Sequence, residues 1–233
     1  MPGCLYLVST PIGNLEDITL RALRILKEVN LIAAEDTRRT GKLLKHFKIQ
    51  TPLLSFHEYN KEKQVGKLLE QWKDGKKIAL VSDSGTPGIS DPGYYLVLLA
   101  IQQGCQIIPI PGPTAFVSAL IASGLPTNSF IFLGFLPTKR GKRERKLTEL
   151  LEEQRTLIFY ESPHRLLNTL DDLLKIFGER KVAIARELTK VFEEIQRGSL
   201  SQLMEHYRKK KPKGEFVLVI EGKRENGTPI QTN

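Results

Sequence analysis

Ile78-Ala-Leu-Val81 is a run of four apolar residues fenced by Lys77 and Ser82. With no polar face to offer solvent, it reads as a strand buried on both sides, as strands are inside a parallel sheet covered by helices. Leu5 to Val8, Leu31 to Ala34 and Ile107 to Ile110 also read as strands, and the segments between them are helical in pattern. Thr19 to Val29, opened by Asp17, spaces Leu20, Leu23, Ile25 and Leu26 as a helix does. Thr37 to Phe47 and Lys61 to Lys73 are amphipathic, the latter with Val65, Leu68, Leu69 and Trp72 on one face. The alternation predicts an α/β layered fold with a mostly parallel N-terminal sheet.

A second series follows the turn Pro111-Gly-Pro113. Strands are expected at Phe130 to Leu133, Thr156 to Tyr160, Val182 to Ala185, Ile195 to Arg197 and Phe216 to Ile220, and helices at Thr114 to Ser123, Lys142 to Glu152, Pro163 to Phe177 and Ser201 to Arg208. Ser162 and Pro163 occupy the favoured cap and first-turn positions of the third of these helices. Phe192 to Arg197 pairs polar with apolar residues as a half-exposed strand does, which predicts a mixed C-terminal sheet. Two α/β domains are expected, 1–112 and 113–222, followed by a frayed polar tail over 223–233. A chain of 233 residues is long enough for two small domains with real cores.

No apolar run approaches the roughly 20 residues needed to cross a bilayer, and the N-terminus lacks signal-peptide features, so a cytoplasmic protein is expected. Cys4 and Cys105 sit in or beside apolar runs as small hydrophobes, and the four histidines show no ligand spacing, so no metal site is expected. The net charge of +9 is concentrated. Lys139 to Lys146 holds six basic residues against one acid, and Arg208 to Lys213 holds five with none. Two basic patches on a nearly neutral body suit a polyanionic partner such as RNA, or are solvated surface.

The chemistry lies in the loops after the strands, where ligands bind in open parallel sheets. Ser82-Asp-Ser-Gly-Thr-Pro-Gly-Ile-Ser-Asp-Pro-Gly93 combines two aspartates with three glycines that let a ligand approach the main chain. Phosphate-loop and dinucleotide fingerprints are absent, as is a nucleophile elbow. Carboxylates, hydroxyls and arginines remain, a set suited to a polar cofactor and an oriented second substrate. Asp36 with Arg38 and Arg39 is either a strand-end salt bridge or part of such a site.

Seven strings occur in order: Ser9-Thr-Pro-Ile-Gly-Asn-Leu-Glu-Asp-Ile-Thr19, Ala34-Glu-Asp-Thr-Arg38, Ser82 to Gly93, Pro111-Gly-Pro-Thr-Ala115, Gly134-Phe-Leu-Pro137, Glu161-Ser-Pro-His-Arg165 and Arg186-Glu-Leu-Thr-Lys190. Together, from Leu5 to about Gly222, they resemble the tetrapyrrole methylase superfamily and, within it, the bacterial small-subunit ribosomal RNA (cytidine-2′-O)-methyltransferases. The resemblance implies a homodimer of two-domain α/β subunits with S-adenosylmethionine in the inter-domain cleft. It also implies cofactor contacts at Ile12, Ser82, Asp83, Ser84, Gly85, Thr86, Pro111, Gly112, Thr114, Ala115, Tyr160 and Leu188. Porphyrin-modifying members carry a glycine-rich loop where this chain has Ser9-Thr-Pro-Ile-Gly13, a departure that argues against a flat tetrapyrrole substrate.

A ribose hydroxyl is a poor nucleophile and calls for a general base or a cation beside the developing alkoxide. Loop position and residue type nominate Glu187 and Lys190, then Asp36 and Arg38. Lys139, Arg140, Lys142 and Arg143 are the expected phosphate contacts, on an arm that Gly141 would keep mobile, with His164 and Arg165 as further substrate contacts. The expected partner is small-subunit ribosomal RNA within the assembled subunit. Two rivals stand beside this reading: C-methylation of a tetrapyrrole precursor, and a non-catalytic RNA-binding role in ribosome assembly.

Overall fold

The computed structural model describes residues 3–224, so most of the expected tail lies outside the described residues. The chain divides into two compact units between Thr114 and Ala115. In the first, β1 (Cys4–Val8), β2 (Leu31–Ala34), β3 (Leu53–Ser55), β4 (Lys77–Val81) and β5 (Gln106–Ile110) form one parallel sheet ordered β3-β2-β4-β1-β5. Helices α1 (Leu20–Glu28) and α2 (Thr37–His46) bury Ile25, Leu26 and Leu44 against Val8, Ile32, Ala34, Ala79 and Val81. The alternate strand residues Leu5, Ala33, Ile78 and Leu80 pack with α3 (Lys61–Lys73) and α4 (Gly93–Gln102) through Leu68, Trp72, Leu96 and Ala100. Both faces of the strands are thus covered, the physical reason their sequences lack a polar side.

This topology sets where a ligand can bind. The connection from β1 runs toward β2, while that from β4 crosses β1 to reach β5. Adjacent β4 and β1 therefore send their connections to opposite faces, opening a crevice at their carboxyl ends.

The second unit holds a mixed sheet ordered β6-β7-β10-β8-β9. Its strands are β6 (Phe130–Phe135), β7 (Thr156–Glu161), β8 (Lys181–Arg186), β9 (Glu194–Ser199) and β10 (Phe216–Ile220). β6 and β7 are parallel, and β10 is antiparallel to both β7 and β8, so β7 and β8 end at the same edge. Helix α5 (Ala115–Ser123) packs across β7, β8 and β10. Helices α6 (Arg140–Thr148), α7 (Leu166–Phe177) and α8 (Leu200–Lys209) contribute Leu147, Leu170, Leu173, Leu203 and Tyr207 to a core with Leu157, Phe159, Ile184 and Leu218.

Several local expectations need correction. α1 starts at Leu20 with the Thr19 hydroxyl accepting from the Ala22 N–H at 3.0 Å, while Asp17 closes a single 3-10 turn. Ser162 caps nothing with its side chain: its carbonyl takes the Arg165 and Leu166 N–H groups, and α7 begins after that turn. Beside this turn, the fully buried Glu161 carboxylate accepts from the Ser162 N–H at 2.7 Å and the Thr169 hydroxyl at 2.7 Å. The Lys139 to Lys146 segment is no mobile arm either, since Gly141 lies inside α6. No described helix is long and apolar enough to cross a membrane.

Candidate functional site

Three loops converge at the carboxyl ends of β4, β1 and β5. Thr10 and Gly85 exchange backbone hydrogen bonds at 2.9 and 3.0 Å, an antiparallel bridge joining the loop after β1 to the loop after β4. The Ser9 and Thr86 hydroxyls lie 3.0 Å apart, and those of Thr86 and Thr114 2.7 Å apart, bringing in the loop after β5. Ser82 turns its hydroxyl back onto the Ser84 and Gly85 carbonyls, each at 3.3 Å. Asp91 closes the far end of the loop, accepting from Gly88 N–H at 2.8 Å and Gly93 N–H at 2.7 Å. Burial raises the Asp91 carboxyl from its usual value.

Gly112 shows how tight this floor is. A Cβ there would stand 2.8 Å from Ser9 Cβ, so only glycine lets the two backbones approach as they do. Hydroxyls, carbonyls and close-set main chain match a ligand with ribose hydroxyls, amide-reading edges and an amino-acid head, as S-adenosylmethionine has. Of the expected cofactor contacts, the first unit brings together Ile12, Ser82, Asp83, Ser84, Gly85, Thr86, Pro111, Gly112 and Thr114. Gly112→Ala is expected to lower S-adenosylmethionine affinity about 10- to 100-fold in calorimetry, as overpacking of a filled site does. Unchanged affinity would remove Gly112 from the site.

Beside this floor, carboxylates stitch β2 to β4. Asp83 Oδ1 accepts from the Asp36 N–H at 2.9 Å, and Glu35 Oε2 accepts from the Asp83 N–H at 3.4 Å. Burial, and then the nearby Asp83 charge, raise the Glu35 carboxyl. Asp36 behaves oppositely. Its carboxylate takes the Arg38 N–H at 2.8 Å and a two-pronged guanidinium contact at 3.0 and 2.7 Å, which hold it well below the usual carboxylate range. Asp36 and Arg38 thus form the cap of α2 and its local ion pair, and so strongly acidic a carboxyl is a poor proton acceptor. A cavity of about 200 Å³ opens here, lined by Thr10, Pro11, Arg39, Thr40, Ser82 and Asp83 among others.

The second unit carries the other candidates at the shared edge of β7 and β8. Tyr160 sits on β7 against Phe132 and Phe135, and its hydroxyl meets the Phe116 N–H beside Ala115. Burial raises its phenol. After β8 the chain turns through Glu187, buried Leu188, Thr189 and Lys190, with Glu187 and Thr189 at φ of 50° and 64°. Non-glycine residues held in the left-handed region concentrate where geometry serves function. Lys190 Nζ donates to Glu187 Oε1 and Glu215 Oε2, both at 2.9 Å. Burial alone would lower the ammonium, but the two carboxylates outweigh it and raise it above the ordinary lysine value. Burial likewise pushes Glu187 up, yet the Lys190 bond and the Glu215 N–H win and hold it below the usual range. The turn therefore keeps a protonated ammonium on the Glu187 and Glu215 carboxylates, with Glu187 held ionised.

The expected RNA contacts separate. Lys139, Arg140 and Lys142 are exposed, whereas Arg143 is buried and pairs with buried Asp172 at 2.5 Å. That placement contradicts a phosphate-contacting Arg143. Arg165 donates to the Leu136 carbonyl at 2.7 Å and pairs with Glu161, and His164 beside it is exposed. Ser9, Thr10, Glu35 and Glu215 belong to these constellations but were not singled out from the sequence. The first three lie in or directly after apolar strand ends, which is a usable signal; Glu215 comes from a distant segment and has none.

Residues 4–204 match the Tetrapyrrole (Corrin/Porphyrin) Methylases family. The chain is 57% identical over 227 residues to the Ribosomal RNA small subunit methyltransferase I of Halalkalibacterium halodurans, covering 97% of this chain and 78% of that one. It is 53% identical over 222 residues to the protein of the same name in Thermotoga maritima, covering 95% and 99%. Among solved structures, the uroporphyrin-III-C-methyltransferase from Thermus thermophilus superposes with a TM-score of 0.66 at 23% identity, covering 93% and 94%, a likeness of fold. Proteins of this family depend on S-adenosylmethionine. The chain belongs to the tetrapyrrole (corrin/porphyrin) methylase family, and within it to the group of relatives named Ribosomal RNA small subunit methyltransferase I.

Proposed function

We propose that this methyltransferase transfers the methyl group of S-adenosylmethionine to the ribose 2′-hydroxyl of a cytidine in small-subunit ribosomal RNA, acting on the assembled subunit. The observation that carries the RNA substrate is the 57% identity, over nearly the whole chain, to a relative named for that RNA. The Ser9, Thr86 and Thr114 hydroxyl cluster and the Gly112 approach support the cofactor reading. When bound, S-adenosylmethionine supplies an activated methyl group on a sulfonium centre. The loops after β1, β4 and β5 hold and align it, and alignment accounts for much of the acceleration of a displacement.

Lys190 then serves the acceptor. Two of its three N–H groups are committed to Glu187 and Glu215, and the third is left to donate to the hydroxyl oxygen as charge develops there. Glu187 orients that ammonium, and the hydroxyl proton passes to water as the oxygen takes the methyl group. Exposed Lys139 and Lys142 support phosphate contacts, with Arg140 beside them already paired with Glu144 at 2.8 Å. A homodimer is supported by the bare apolar stripe Tyr94, Leu98 and Ile101 along α4, which a second copy would cover.

The test is transfer of label from S-adenosylmethionine. Small ribosomal subunits should be labelled in their RNA and uroporphyrinogen should not. Label in the tetrapyrrole would establish the C-methylation reading, and label in neither would leave a binding protein.

A further inference from the structure

We propose that the edge of the second unit formed by Phe192, Lys211 and Lys213 grips single-stranded RNA, with Phe192 stacked on an unpaired base and the two lysines on flanking phosphates. The proposal rests on the ribosomal RNA reading above and gives the Arg208 to Lys213 run a role.

The first observation is how the strained turn is fixed. Arg186 Nε donates to the Lys213 carbonyl at 2.6 Å, the Glu187 and Glu215 main chains bond at 3.0 Å, and the Glu215 N–H donates to Glu187 Oε1 at 2.9 Å. Gly214 has φ of 91°, and a Cβ on it would fall 2.6 Å from Glu187 Oε1. The segment 213–215 and the Glu187 to Lys190 turn are therefore one rigid piece, and whatever binds the first is delivered to the second.

The second observation is what this piece displays. Directly after Lys190, Val191 is 94% and Phe192 70% exposed, a bare apolar tip with no packing role. On the other flank, Lys209 and Lys210 are paired with Glu205 and Glu194, but the charged groups of Lys211 and Lys213 make no ion pair among the described residues. Phe192 follows Lys190 by two residues and Lys213 precedes Glu215 by two, so the Lys190–Glu215 bond ties the segment of the bare ring to that of the unneutralised cations. Ring and cations together suit single strands, because every base has a stacking face and every nucleotide a phosphate. A duplex hides its bases and gains nothing from the ring.

The experiment uses the full chain and a single-stranded oligoribonucleotide carrying 2-aminopurine, with a duplex of the same sequence as control. Wild-type protein should quench the probe on binding. Phe192→Ala should abolish the quench and weaken single-strand affinity about 5- to 100-fold while leaving duplex affinity unchanged, and Phe192→Trp should restore both. Lys211→Gln and Lys213→Gln should each reduce the slope of log affinity against log salt by about 0.7. Single-strand affinity unaltered by Phe192→Ala would overturn the proposal. So would a Phe192→Ala protein that light scattering shows has become monomeric, since the tip would then be a subunit contact. Wild-type protein that binds as described but leaves ribosomal RNA unlabelled would instead overturn the functional reading and spare this one.

Discussion

Lys190→Ala is expected to slow single-turnover methylation of small ribosomal subunits about 10²- to 10³-fold, the usual consequence of removing one donor to a developing oxyanion. S-adenosylmethionine affinity should not change. The expectation follows from the Lys190 surroundings: two carboxylates at 2.9 Å keep its ammonium charged through the neutral range and fix its direction. Glu187→Gln should cost less, because glutamine can still accept one bond from the ammonium, and Lys190→Arg should recover part of the rate. If Glu187 were instead the general base, Glu187→Gln would be the more damaging change. Turnover within threefold of wild type in Lys190→Ala would remove this residue from the reaction.

Asp172→Ala is expected to destabilise the protein by about 3–5 kcal/mol, the cost of leaving one buried charge without its partner. Arg143 lies inside the second unit with its Nε 2.7 Å from Asp172 Oδ2, and Arg140 approaches the other carboxylate oxygen at 3.4 Å. Arg143→Met should be similarly damaging, whereas the double replacement should cost less than the sum. Urea unfolding followed by far-ultraviolet circular dichroism is the suitable measurement, because the one tryptophan, Trp72, reports only the first unit. A loss under 1 kcal/mol, with weakened RNA binding, would return Arg143 to the surface role first expected of it.

That residue illustrates where sequence reading stops. A run of six cations announces surface, but it does not say which member turns inward. The helical register did: Arg143, Leu147 and Leu150 recur at intervals of four and three and are all buried, so Arg143 shares the apolar stripe. The central strands were legible because burial on both faces strips them of polar residues, and β9 through the mixed polar and apolar residues of a half-exposed strand. β3 was not, being three half-buried residues at the sheet edge. Caps were misplaced by a residue or two where neighbouring side chains competed for the same turn, as Thr19 took the cap of α1 from Asp17 and buried Glu161 bonded the Ser162 N–H and the Thr169 hydroxyl at the start of α7. The cofactor loops showed themselves through glycine, proline and hydroxyl content. The Lys190 cluster was half visible, since Glu187 lies three residues away and Glu215 lies 25.

The central claim is tested by locating the transferred methyl group within the RNA. Subunits from cells lacking this activity would be incubated with the protein and labelled S-adenosylmethionine, and their RNA then hydrolysed with alkali. A 2′-O-methyl group blocks cleavage at its own nucleotide, so the account predicts label in an alkali-resistant dinucleotide whose 5′ residue is cytidine. Label recovered in mononucleotides would place the methyl group on a base and contradict it.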